Sequence, residues 1–381
     1  MIVETKQILL CCSILSLLRF DVACMCSDRI TSASDASSDD IPIDIDTTKI
    51  LTPNKYAIPF RSMASFVVDE QHDHIYGFGH DGIIRRWNLR NVTIEQEIDL
   101  KGVIKKYTRD MGNYVLSLVN NKLYLFVELD MLTALHIEFE SIPELSQYRT
   151  VHLLQPKEYK LLYYVDLLNS SYCFREDNLL LLSSMFTDNS SEGLLAAYIS
   201  EVNTVEVANL GSLKSGCHQL SACGSRDNQK ELVGLMKCTD GIYLYSTKDD
   251  HHTLTTSSGV VRHTMHNIYN ANFDIILSLG STSEGWIVSD AKTLATLADN
   301  IYKYGLFRYI EPISREQMAV MMYTEITSYN IGILDTKTNT LVAEYYERNM
   351  SPDRRLQYSP LTSTLYGSAS NYFLTFNLKG E

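Results

Sequence analysis

Phe66 to Leu89 reads FVVDEQHDHIYGFGHDGIIRRWNL, and its punctuation decides the fold class. Phe66 to Val68 is an apolar, β-branched run stopped by Asp69, and Ile75 to Phe78 is a second such run. His80-Asp81-Gly82 separates it from a third, Ile83 to Trp87, and Asp81-Gly82 supplies the φ > 0 conformations that a tight hairpin needs. Alternation puts Ile83, Arg85 and Trp87 on one face of this third strand and Ile84 and Arg86 on the other. The stretch is a strand, turn, strand, turn, strand unit.

Worn copies of the unit follow at Tyr114 to Ala134, Asn178 to Ala208, Leu232 to Thr253, Ile275 to Leu297, Met318 to Glu344 and Ser363 to Asn377. In the second copy Asn120-Asn121 stands where Asp81-Gly82 stood, and Asn tolerates the same left-handed turn. The place of Trp87 is taken in turn by Phe126, Tyr198, Tyr245, Val288, Leu334 and Phe376. Most of these intervals match the roughly 40–45 residues of a four-stranded propeller blade. The long interval between Phe126 and Tyr198 holds either an insertion or a degenerate extra blade in residues 142–177. An all-β chain forming a single β-propeller is expected over residues 41–381, with seven blades chosen from a range of six to eight. Sheets with two apolar faces cannot stay monomeric alone, whereas radial stacking covers both faces. The last copy stops on its third strand, so a segment between Ile41 and Ile58 is expected to supply the missing outer strand and close the ring.

The opening stretch resembles the WD-repeat family. Asp69, the Asp81-Gly82 turn and Trp87-Asn88 match the second half of that repeat, with Asn88 where the family usually has Asp. The resemblance implies that Asp81 and Trp87 belong to a structural hydrogen-bond network, although no His partner is assignable and Gly79-His80 falls inside the hairpin.

Upstream, the apolar run Ile8 to Leu18 has the length of a signal-peptide core, with small residues near Ala23 and Cys24 for cleavage. Residues 1–26 are expected to be a secretory signal; a buried strand or a degenerate anchor are the alternatives. No other segment reaches membrane-spanning length without charges. Residues 27–40 read as an acidic, disordered linker, and Ile41, Ile43 and Ile45 alternate with polar residues and Pro42 as an edge strand would. Four cysteines remain beyond the signal, Cys173, Cys217, Cys223 and Cys238. In a secreted chain they suggest two disulfides with three possible pairings. Their gaps fit no zinc pattern, and free thiols in the cytosol are the other reading. Sequons at Asn91, Asn169, Asn189 and Asn349 fall in expected turns, where glycans could project.

Charge and motifs then narrow the function. A net charge of −13 over 381 residues argues against nucleic acid and anionic lipid, which need a basic face. Arg85-Arg86, Lys105-Lys106 and Arg354-Arg355 are isolated pairs. His72, His74 and His80, and His251, His252, His263 and His266, are the clusters that could bind a transition metal, but no carboxylate pattern supports them. No GxSxG, HExxH or phosphate loop is present, so neither a catalytic residue nor a cofactor is expected. The chain reads as a non-enzymatic interaction scaffold, secreted or lumenal, for a protein partner of basic character. An intracellular WD-repeat-like adaptor and a propeller hydrolase with a channel-lining site are the alternatives.

Overall fold

The computed structural model describes residues 49–379 apart from 58–62, 107–113, 120, 131–132, 141, 154–160, 163–178, 185–193, 200–204, 210–216, 227–229, 239–240, 249–250, 257–265, 281–284, 305–306, 326–327, 349–355 and 370–371. The expected signal, the acidic linker and the alternating isoleucines lie outside the described residues. Among the described residues every element is a strand except a single helical turn, Lys101–Ile104.

The strands form seven sheets. In chain order the first holds Met63–Asp69, His74–Gly79, Ile83–Asn88 and Ile94–Asp99, and the second Tyr114–Val119, Lys122–Asp130, Thr133–Phe139 and Tyr148–Leu153. The third holds Leu161–Leu162, Leu179–Ser184, Leu194–Ile199 and Val205–Asn209, and the fourth Cys217–Arg226, Glu231–Cys238, Gly241–Lys248 and His251–Thr256. The fifth holds His266–Asn270, Ile275–Leu279, Trp286–Asp290 and Thr296–Asn300, and the sixth Phe307–Pro312, Gln317–Glu325, Ser328–Asp335 and Thr340–Arg348. Leu356–Ser359, Thr364–Ala369 and Tyr372–Asn377 begin the seventh. Its fourth strand comes from the other end of the chain: Asn54–Ala57 pairs antiparallel with Tyr372–Asn377, setting Asn54 opposite Thr375 and Ala57 opposite Tyr372. Just upstream, Lys49–Ile50 lies parallel on the outer strand of the sixth sheet, and the Leu51 amide donates to the Glu344 carbonyl.

In six of the seven sheets, all but the third, the first strand is the inner one. Phe307–Pro312 lies beside Leu356–Ser359, which lies beside Met63–Asp69, which lies beside Tyr114–Val119; Cys217–Arg226 likewise lies beside His266–Asn270. Alternation gives a strand two faces, and where both are apolar each can serve one neighbouring sheet. In the first sheet Val67, Tyr76, Phe78 and Ile84 pack against Leu116, Leu125 and Ile137 of the second. Phe66, Val68, Ile75 and Trp87 pack the other way, against Tyr366 and Phe373 of the seventh, with Phe66 and Phe373 edge to face at 5.3 Å. Shared cores also join the fourth to the fifth, the fifth to the sixth and the sixth to the seventh.

Several sequence alignments need correction against this register. Phe126 is in the second strand of its sheet, not the third, and Asn120-Asn121 joins the first two strands, whereas Asp81-Gly82 joins the second and third. Both slips have one cause: Asn121, at φ 57, satisfies the same left-handed requirement as Gly82, at φ 75, so turn chemistry alone does not say which hairpin is which. Val288 sits one residue early, since Ser289 precedes the turn as Trp87 does, and a register shift separates the two. Leu334 and Phe376 do occupy the place of Trp87, facing the preceding sheet. Within 142–177, Tyr148–Leu153 completes the second sheet and Leu161–Leu162 opens the third.

Deleting residues 49–57 would bare the outer edges of the last two sheets and remove Leu51 and Tyr56 from their cores. The expected outcome is a melting temperature lower by on the order of 10 °C. Differential scanning calorimetry checks it, and an unchanged midpoint would mean that the strap carries no stability.

Candidate interaction face

Antiparallel succession gives every sheet one end carrying its first and last hairpin turns and one end carrying its middle hairpin and the connection to the next sheet. The two ends are built differently. In the first, fifth, sixth and seventh sheets the turns of the first kind, residues 70–73, 89–93, 271–274, 291–295, 313–316, 336–339 and 360–363, all span four or five residues. Most close on a left-handed residue: Asp73, Val92, Asp274, Leu294, Asn339 and Ser363 have φ between 50 and 58.

Polar side chains hold these turns. Asp290 Oδ1 accepts from the amides of Lys292 and Thr293, both at 3.0 Å, and Asp335 Oδ1 accepts from those of Lys337 at 3.0 Å and Thr338 at 2.8 Å. Asn88 and Asn377 accept from Arg90 and Lys379 in the same way. The next residue, Leu89, Ala291 or Leu378, donates its amide to the left-handed residue of the companion turn, Asp73, Asp274 or Ser363, while Thr336 donates to Glu316. The basic residue two positions on then reaches a carboxylate there: Arg90 to Asp73 at 2.7 Å, Lys292 to Asp274 at 3.4 Å and Lys337 to Glu316 at 2.5 Å. Burial would raise the Asp290 carboxyl, but the Thr293 and Lys292 amides and Arg315 hold it down at about 2. Many of the polar groups of these turns are thus engaged within this end.

The opposite end varies. In the same four sheets the connections run from five residues, 58–62, to fourteen, 100–113, and the middle hairpins from two, 326–327, to six, 280–285, whereas in the second, third and fourth sheets turns of the first kind themselves run from two residues, 120–121, to sixteen, 163–178. Its best described part lies over the first two sheets. Gly82, at φ 75, opens a hairpin in which Asp81 grips Arg85 through Oδ1 at 3.1 Å and Oδ2 at 2.6 Å, while Glu97 takes the Arg85 Nε at 2.5 Å. Burial would raise Asp81, but the Arg85 guanidinium outweighs it and holds the carboxyl below the usual range. A Cβ at position 79 would come within 2.4 Å of Asp81 Oδ1, so any residue larger than glycine there would push the carboxylate from its place on Arg85. His80 Nδ1 meets the Tyr114 hydroxyl. The Leu100 amide donates to Gly82 at 3.0 Å, so the helical turn bearing Lys101, Lys105 and Lys106 is fastened to the same hairpin.

Side chains of the inner strands reach across to the next sheet. Glu311 Oε1 accepts from the Tyr358 amide at 2.9 Å, Gln357 Oε1 from Val68 at 3.1 Å and Ser65 Oγ from Leu116 at 3.0 Å. Three successive junctions therefore use an inner-strand acceptor for a neighbouring backbone N–H. Burial pushes Glu311 up to about 8, and the Tyr358 amide only partly opposes it. On the second sheet, burial likewise lowers His136 to about 3. Beside it the fully buried Glu138 stays ionised, because Lys122 at 2.7 Å and Arg149 outweigh its desolvation.

The histidines of the opening stretch do not converge. His72 Nδ1 bonds Asp69 at 2.8 Å and His74 Nε2 bonds Glu95 at 3.1 Å, while His80 lies at the other end of the hairpin. Among the described residues no group of three His, Cys, Asp or Glu could hold a metal ion. The side chains of His251, His252 and His266, and residue His263, lie outside the described residues, as do Asn169, Asn189, Asn349 and Cys173. Asn91 is exposed in a turn, its Oδ1 accepting from Thr93. Cys217 and Cys238 stand opposite each other on adjacent strands, and Cys223 opposite Gly234. Sequence reasoning missed the turn clamps, although Asn88-x-Arg90, Asp290-x-Lys292, Asp335-x-Lys337 and Asn377-x-Lys379 spell them.

No family profile matches the chain, and no curated protein does. Among solved structures it resembles the β-propeller domain of Cps50 (Swd1) from Myceliophteria thermophila, with a TM-score of 0.54 and 11% identity over 86% of this chain and 100% of that one. The fold is a β-propeller. The Dos1 propeller is also similar, at a TM-score of 0.47 and 10% identity over 84% of this chain and 80% of that one. Within the repeat, Asp81 has Arg85 of its own hairpin as partner, which explains why no histidine could be assigned to it. No described helix is long and apolar enough to cross a membrane.

Replacing Asp81 with Ala should cost roughly 1–3 kcal/mol, because it takes two acceptor oxygens from a nearly buried guanidinium. Urea denaturation checks this, and Asp81→Ala combined with Arg85→Leu should recover part of the loss. For Glu311 the folded form holds its proton to about pH 8, whereas an unfolded glutamate releases it near 4.3. Its contribution is fully present below that lower value and disappears as pH rises through 8. Glu311→Gln should therefore match the native protein near pH 4 and melt several degrees higher at pH 9; parallel pH profiles for the two proteins would refute the assignment.

Proposed function

We propose that this chain is a non-enzymatic protein-interaction scaffold of the secretory pathway, seven blades in one ring whose ends Asn54–Ala57 joins, and that it binds a basic partner through the end with connections of variable length. One contrast carries the reading. Four sheets spend the polar groups of one end on uniform, self-satisfied turns, while the other end presents connections of five to fourteen residues on the same rigid frame. Adaptable binding residues belong on such loops. A net charge of −13 favours a basic protein or matrix component and makes association faster at low ionic strength.

Pull-down from the native compartment should recover a partner released by high salt. Replacing residues 257–265 and 349–355 with Gly-Ser segments of equal length should abolish capture, whereas Lys337→Ala in a turn clamp should leave it intact. Reproducible turnover of an ester, lactone or glycoside by the purified protein would overturn the scaffold reading. Secretion is checked separately: glycosidase should shift the band of the protein made in eukaryotic cells, and Asn91→Gln should remove one step of that shift.

A further inference from the structure

We propose that Cys217 and Cys238 form a disulfide across the open end of the first hairpin of the fourth sheet, leaving Cys223 outside the pair. The backbone register carries this. Cys217 opens Cys217–Arg226, Cys238 ends Glu231–Cys238, and the two are direct antiparallel partners. Such partners stand about 4.5–5.5 Å apart at Cα, inside the roughly 4.4–6.8 Å that a disulfide spans. Cys223 faces Gly234 instead, five register pairs from the strand end and with a second irregularity between. Of these three cysteines, only Cys217 and Cys238 are register partners of each other.

The position gives the bond a consequence. Gly241 also pairs with Cys238, so the cross-link sits where the middle hairpin turns and where the connection from the third sheet enters, at the end proposed for binding. It would close a hairpin whose tip lies at residues 227–230, and so restrain the unfolded chain over that loop. Formation needs an oxidant, here a small-molecule disulfide. One protein thiolate attacks a sulfur of the reagent, forming a mixed disulfide and expelling one thiol. The second protein thiolate attacks the protein sulfur of that intermediate and expels the other. Two cysteines are oxidised, one reagent disulfide is reduced to two thiols, and the two protons of the cysteines pass to the leaving thiolates.

The purified full chain, reduced and then equilibrated with oxidised glutathione, tests the pairing whatever compartment the protein occupies. Peptide mapping without reduction should recover Cys217 and Cys238 in one linked pair. Oxidation should raise the melting temperature by several degrees and slow amide exchange in both strands of the hairpin. Cys217→Ser and Cys238→Ser should each abolish the oxidation-dependent shift, and Cys223→Ser should preserve it. Linkage of either residue to Cys173 or Cys223, or glutathione retained on both Cys217 and Cys238, would overturn the proposal. Failure of the partner pull-down would leave it standing, since the mapping does not depend on a partner.

Discussion

Everything in this fold follows from sheets that are apolar on both faces. Phe78 and Ile84 point one way from the first sheet and Phe66 and Trp87 the other, and all four are essentially buried. A sheet of this kind exposes a sticky surface wherever it lacks a neighbour. Handing one face to each of two neighbours covers both, and among the described residues shared cores run in this way from the fourth sheet through the seventh and on to the first and second.

The same arrangement brings the narrow edges of the inner strands together, and backbone amides there need acceptors. Ser65, Gln357 and Glu311 provide them. This accounts for the limits of sequence reading. The second and third strands, such as IILSL and WIVSD, are visible as apolar runs. Inner strands such as FRYIEP and LQYS look like loops, because Glu311 and Gln357 bond across junctions that only the assembled fold creates. Copies recognised from the third onward accordingly began at the second strand of each sheet.

Turn chemistry was legible in part. The left-handed positions at Asn121 and Gly82 follow from residue type, but the clamp linking each last turn to its companion depends on a cation and a carboxylate some fifteen to twenty residues apart, as in Arg90 with Asp73 and Lys292 with Asp274. Neither partner is informative alone. The platform around Arg85 was hidden for another reason: Arg85-Arg86 reads as a solvated basic pair, yet Arg85 is buried between Asp81 and Glu97, and only cross-strand register places Glu97 opposite it.

The strap has a consequence for the order in which the molecule is made. Asn54–Ala57 leaves the ribosome among the first folded residues, but its partner strand Tyr372–Asn377 is among the last. At ordinary rates of synthesis the two are separated by roughly 15–60 s. During that interval the early strand has no sheet to join, while the first sheet already displays the face that will receive Phe373. The short, polar strand NKYA is suited to the wait, since it offers little to aggregate. The Phe66 and Trp87 face is the exposed liability of the nascent chain, shielded only when Tyr366 and Phe373 have been made.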